Sequence, residues 1–175
     1  MARIALVTGG TGGIGTAICQ RLAKLGHKVA TNYRSRERAE AWAAQQRELG
    51  YDFTLLEGDV GSYESCEAMV RELFQQHGGV DILINNAGIT RDTTFHKMTP
   101  AQWNEVITTN LTSCFNVTRQ VIDHMRSQKW GRIVQIASIN GQKGQYGQAN
   151  YAASKASMHG FSISLAQEKA KLGIT

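Results

Sequence analysis

Residues 4–15 read Ile4-Ala5-Leu6-Val7-Thr8-Gly9-Gly10-Thr11-Gly12-Gly13-Ile14-Gly15. The first four are apolar without alternation, which predicts a short strand covered on both faces, as in a parallel sheet. A glycine-rich turn follows, after which Ile14, Ile18, Leu22 and Leu25 recur at helical spacing until Gly26 ends the run. Glycine in such a turn tolerates positive φ and lets the backbone approach a pyrophosphate. The N-terminus of the helix then offers free N–H groups and a partial positive charge to the anion. Two frames are legible, GxGxxG at Gly10, Gly12 and Gly15 or GxxxGxG at Gly9, Gly13 and Gly15. Among 18 glycines either frame alone is weak. Its place between a strand and a helix is what marks it as a phosphate-binding turn.

The same alternation continues along the chain. Strands are expected at Lys28–Tyr33, Phe53–Glu57, Val80–Ile84 and Arg132–Ala137, with helices at Arg36–Leu49, Tyr63–His77 and Ala149–Leu172. Thr99 as N-cap and Pro100 as first helical residue open another helix, which runs with a bend to about Ser127. This order predicts an α/β fold, a doubly wound parallel sheet of Rossmann-like type, in one domain over residues 1–175. The chain ends at Leu172-Gly173-Ile174-Thr175, where a sixth strand is expected to begin, so the fold is expected to be truncated before it.

Composition narrows the class. Nineteen Lys and Arg against 14 Asp and Glu give a net charge of +5. That balance suits a phosphate-bearing ligand, while no long basic run or basic–aromatic alternation argues for nucleic acid. No apolar run nears the ~20 residues a membrane span needs. Cys19, Cys66 and Cys114 lack CxxC spacing and the five histidines are scattered, so neither a disulfide framework nor a metal site is expected. A reducing, cytoplasmic location follows.

Chemistry enters at three places. The second strand ends in Asn32-Tyr33-Arg34-Ser35-Arg36, without the carboxylate that would bind a ribose 2′-hydroxyl. Arg34 could pair with a 2′-phosphate and Ser35 hydrogen-bond it, which favours NADP over NAD; the plainer reading is a solvated start to the next helix. Tyr151 and Lys155 stand at i and i+4, one turn apart on one helical face. A nearby ammonium favours the phenolate and draws a tyrosine down from ~10 toward working pH, making it a usable proton donor. Ser138 follows the fifth strand at its carboxyl end, the ligand side of an open α/β sheet, and the fourth strand delivers Asn85–Gly88 to the same edge.

Taken together, Thr8–Gly15, Asn85-Asn86-Ala87-Gly88, Asn110, Ser138 and Tyr151-Ala152-Ala153-Ser154-Lys155 resemble the short-chain dehydrogenase/reductase family over essentially the whole chain. The resemblance implies that Tyr151 is the general acid, that Ser138 orients the carbonyl, and that Lys155 binds the nicotinamide ribose. It implies that Asn110 holds a water in a proton relay. Cofactor contacts would fall on Gly9, Gly12, Gly13, Ile14 and Gly15, on Arg34 and Ser35, on Gly58, Asp59 and Val60 by the adenine, and on Asn86, Ala87, Gly88, Ile89 and Thr90. Three segments, Asn86–Asp92, Phe95–Thr99 and Asn140–Tyr151, narrow the match to reductases of short 3-oxoacyl thioesters. The activity implied is NADPH-dependent reduction of acetoacetyl-CoA to (R)-3-hydroxybutyryl-CoA, as in polyhydroxybutanoate synthesis. Asp92, Gln145, Tyr146 and Gln148 would surround the acyl thioester, with Lys97 in the same region. Complete relatives would be homotetramers with an acyl-CoA substrate and no nucleic-acid or membrane partner. Reduction of 3-oxoacyl carrier proteins is the alternative enzyme reading. A non-catalytic dinucleotide-binding regulator, or an inactive truncated subunit, is the alternative of another class.

Overall fold

The apolar run Ile4–Val7 forms β1, and its residues Ala5, Leu6 and Val7 are fully buried. The computed structural model describes residues 2–175. Four further strands, β2 (Lys28–Tyr33), β3 (Thr54–Glu57), β4 (Ile82–Asn85) and β5 (Arg132–Gln135), complete a five-stranded sheet in the order β3-β2-β1-β4-β5. All pairings are parallel, with Val7 opposite Thr31 and Ile84. The chain runs outward from β1 to β3, then crosses back to place β4 on the other side of β1. The loops after β1 and β4 therefore part at the sheet's switch point and leave a crevice there.

Because side chains alternate across a strand, β1 feeds two cores. Leu6 and Leu83 face the helices α3 (Tyr63–His77) and α5 (Ser113–Gln128), where Met69, Leu73, Val117, Val121 and Met125 are buried. Ala5, Val7, Ile82 and Ile84 face α1 (Gly13–Lys24) and α2 (Arg36–Glu48), packing on Cys19, Trp42 and Ala43. The stripe of α1 that meets the sheet is Gly15, Ile18, Cys19 and Leu22, whereas Ile14 and Leu25 are 65% and 55% exposed. The expected stripe is thus rotated toward Gly15, because the first turn of α1 lies flat on the glycine loop.

The bend expected after Pro100 is a π-turn, Thr108–Thr112, joining α4 (Pro100–Ile107) to α5. Thr99 caps α4 through a reciprocal box with Gln102, as the Thr99-Pro100 start predicts. A single turn, α6 (Asn140–Lys143), precedes α7 (Ala149–Lys169), which tightens into a 3-10 turn over Ala170–Leu172. Gly173–Thr175 then lies parallel to β5: Gly131 N donates to Gly173 O, Thr175 N to Gly131 O and Ile133 N to Thr175 O. The first rungs of the expected sixth strand are present. Among the described residues no helix is long and apolar enough to cross a membrane.

Candidate active site

Side-chain amides and hydroxyls tie the loops at the carboxyl edge together. Thr8 Oγ1 accepts from the backbone N–H of Asn86 and of Ala87, both at 3.0 Å, and the Asn86 amide donates to the carbonyls of Thr8 and Gly9. Asn32 at the end of β2 accepts from Gly9 N and donates to Gly58 O, each at 2.9 Å. The phosphate turn is thereby held to the loops after β2, β3 and β4. Gly15 has to be glycine here, since a Cβ would lie 2.7 Å from Gly10 Cα and against Gly9 O. The N-cap of α1 is Gly12, with no side-chain cap and no acid in the first turn. Its N–H groups are left to an anion.

This turn borders a hollow of about 200 Å³ lined by Gly9, Asn32, Arg34, Asp59, Val60 and Gly88 among others. Residues predicted from four separate segments of the sequence thus meet in one cavity. Its composition suits the nucleotide end of a dinucleotide, with the glycine backbone, Asp59 and Val60, and Arg34 all lining it. Among the described residues Arg34 has no ion-pair partner, and the Ser35 hydroxyl, though at the N-cap of α2, makes no capping bond. Both are available to a phosphate.

Lys155 and Tyr151 share the first turns of α7, with the Lys155 Nζ 5.7 Å from the Tyr151 ring centre. The ammonium donates to Ile136 O at 2.6 Å and lies beside Gly88, where a Cβ would sit 3.6 Å from Nζ. Burial pushes Lys155 below its ordinary value, with the neighbouring Cys114 acting in the opposite sense. Ser138 lies on the loop after β5. Its Oγ accepts from Asn140 N at 3.2 Å, so its own proton is free for a ligand oxygen. Gly141 presses this loop onto α7, since a Cβ there would stand 2.7 Å from Ala156 N.

Asn110 lies in the π-turn and is fully buried. Its Oδ1 accepts from Ile89 N at 2.8 Å, while Nδ2 donates to Ile89 O and to Ser154 Oγ. Both amide protons are therefore engaged, and the side chain clamps the Gly88–Thr90 loop. Ser154, absent from the sequence prediction, completes the clamp by donating to Tyr151 O at 2.7 Å. Asn150 was missed as well: it is buried and donates to the carbonyls of Arg91 and Gln102, fixing the start of α7. Only its place beside Tyr151 could have signalled it, because its partners lie 59 and 48 residues away.

At the mouth, Gln148 Nε2 donates to Asp92 Oδ2 at 2.8 Å and Gln148 Oε1 accepts from Asn140 Nδ2 at 2.9 Å. With Thr93 N donating to Gly147 O, these bonds zip the loop after β4 to the loop before α7. Gln145 and Tyr146 stand exposed on that second loop, Tyr146 at 86%. Lys97 is exposed in a short 3-10 turn, and no hydrogen bond or ion pair ties it to the Asp92–Gln148 pair.

A hollow at the switch point bordered by the glycine turn and Gly88, with the buried Lys155 beside Gly88 and Tyr151 one turn before it on α7, suits an oxidoreductase of the ketone/hydroxyl type. The chain belongs to the short chain dehydrogenase family, which it matches over residues 3–175. It is 57% identical to the acetoacetyl-CoA reductase of Cupriavidus necator over 174 residues, covering 99% of this chain and 71% of that protein. It is 41% identical to a 3-oxoacyl-[acyl-carrier-protein] reductase of Staphylococcus aureus, covering 100% of this chain and 72% of that one. Among solved structures, a gluconate 5-dehydrogenase from Burkholderia cenocepacia in complex with NADP and tartrate superimposes with a TM-score of 0.92. That pair shares 31% identity and covers 99% of this chain and 68% of the other.

Proposed function

We propose that the chain reduces the ketone of acetoacetyl-CoA to (R)-3-hydroxybutyryl-CoA with NADPH. The observation that carries this reading is the 57% identity to an acetoacetyl-CoA reductase; Asn110 and Lys155 beside Gly88, Tyr151 one turn before Lys155 and Ser138 after β5 support it. Gly9 and Gly12–Gly15 would cradle the pyrophosphate, Arg34 and Ser35 the 2′-phosphate, and Gly58–Val60 the adenine. Asn86–Thr90, with Tyr151 and Lys155, would flank the nicotinamide half. When bound, NADPH supplies the hydride for the carbonyl carbon.

The residues' own part is proton delivery and charge stabilisation. Ser138, its oxygen already satisfied by Asn140 N, donates to the carbonyl oxygen as negative charge develops there. Tyr151 transfers its phenolic proton to that oxygen, and the Lys155 ammonium stabilises the phenolate left behind. Asp92, Gln145, Tyr146, Gln148 and Lys97 would receive the thioester end. Assembly as a homotetramer is supported by the exposed Phe115 and Ile163 and by an apolar groove between α5 and α7, and the cytoplasm is the proposed location.

Tyr151→Phe should lower kcat for acetoacetyl-CoA reduction by at least about 100-fold. Retention of most of the rate would remove the assignment. The second reading, a carrier-protein substrate, draws on the 41% identity to such a reductase. A higher kcat/KM with acetoacetyl carrier protein than with acetoacetyl-CoA would establish it. NADPH binding without turnover of either thioester would favour a non-catalytic role.

A further inference from the structure

The dinucleotide hollow continues into a second one of about 330 Å³, lined by Tyr33, Arg34, Glu57, Gly58, Asp59 and Ser65. Tyr33, Arg34 and Asp59 line both, so a phosphate held by Arg34 would stand at their junction. Glu57 and Asp59 are two residues apart at the end of β3, and Glu57 is in register with Tyr33 of β2. Among the described residues the rim therefore sets two carboxylates, Glu57 and Asp59, beside one unpaired cation, Arg34. A 2′-phosphate carries nearly two negative charges, and this arrangement would repel it.

Arg36 changes that balance. Its guanidinium lies 5.7 Å over the Tyr33 ring, its Nη2 is 3.2 Å from Glu57 Oε2, and its Nη1 is 3.8 Å from Glu40 Oε1. The ring, Glu40 and Glu57 together fix the arginine across the rim. We propose that Arg36 determines the preference for NADPH over NADH as a positioning residue, by neutralising and holding Glu57 so that Arg34 meets the 2′-phosphate unopposed. This inference rests on the NADPH reading above and deepens it. Arg34 binds, and Arg36 removes the opposing charge.

The test is a double-mutant cycle in the full chain, with Kd for NADPH and for NADH measured by quenching of protein fluorescence. Arg36 and Glu57 are both about two-thirds exposed, so substitution leaves the core intact. Arg36→Gln should weaken NADPH about three- to tenfold, the scale of one charge at partly screened distance, and leave NADH within about twofold. Glu57→Gln added to it should bring NADPH back to within about twofold of the original. An unchanged NADPH affinity in Arg36→Gln overturns the inference. So does a double variant as weak as Arg36→Gln alone, because the arginine then acts on the phosphate directly. Equal affinity of the unsubstituted chain for NADPH and NADH overturns the cofactor reading itself, and with it this one.

Discussion

The buried ammonium of Lys155 is costly before any cofactor arrives. It is 4% exposed, and among the described residues its one hydrogen bond is to Ile136 O. Burial holds its folded value below the ordinary 10.5, so between the two values the unfolded chain binds the extra proton. The stability penalty is therefore full at low pH and is relieved as pH rises through the folded value toward 10.5, at ~1.4 kcal/mol for each tenfold change in proton affinity. The unsubstituted chain should gain stability relative to Lys155→Met as pH is raised from 7 to 10. A difference that stays flat in urea unfolding across that range would contradict this. Ser154 is the second residue-scale case. Ser154→Ala leaves an Asn110 amide proton unpaired in the interior, a loss of about 1–3 kcal/mol. If the clamp positions Tyr151, kcat falls about tenfold well below the melting temperature. A loss of stability with kcat unchanged would reduce Ser154 to a packing role. The placement of Tyr151 and Lys155 on one helix and of Ser138 after β5 was legible, because it follows from a helical spacing and a strand end. Ser154 and Asn150 were not, because what they do depends on partners distant in sequence.

At the scale of elements, the turn between β1 and α1 separates glycines that look alike in sequence. A Cβ at Gly13 meets nothing within 4 Å, whereas one at Gly15 lies 2.9 Å from Asn86 Nδ2 and 2.7 Å from Gly10 Cα. Gly15→Ala should therefore cost about 1–3 kcal/mol by overpacking and open the phosphate cradle. Gly13→Ala should stabilise by up to about 1 kcal/mol through helix propensity. Thermal melts of the two variants test this, and equal melting temperatures would refute the distinction. The π-turn shows the same limit of local reading. Its location was predicted as a bend, but the inward turn of Asn110 to hold Ile89 and Ser154 depends on the packing of α4 and the π-turn against α7.

For the molecule as a whole, all three thiols are buried, Cys66 and Cys19 in the two cores and Cys114 against Asn110 O near Lys155. Burial raises Cys19 and Cys66 to about 12 and Cys114 to about 11, from an ordinary value of 9.0. Below about 9 the folded and unfolded chains both keep these protons. Above it the unfolded chain loses them first, so this part of the stability disappears between about 9 and about 12. Native protein at pH 8 should leave all three cysteines unmodified by iodoacetamide, and urea should expose them together. Fast labelling of any one in the native state would show that its core is open. The alternation of strands and helices, the parallel sheet and the glycine-rich turn between β1 and α1 were determined by the sequence itself, because they follow from local periodicity and from which residues tolerate a tight turn. The neighbourhood of Tyr151 and Lys155 was determined too, since i and i+4 on a helix puts them on one face. Only the tertiary structure decided that α1 meets the sheet through Gly15 and Cys19, and that Asp92 bonds to Gln148. It likewise turned Asn110 into a clamp and placed Arg36 opposite Glu57. Each of these joins residues brought together across the sheet's edge, where hydrogen bonds and charge pairing select partners that no local pattern encodes.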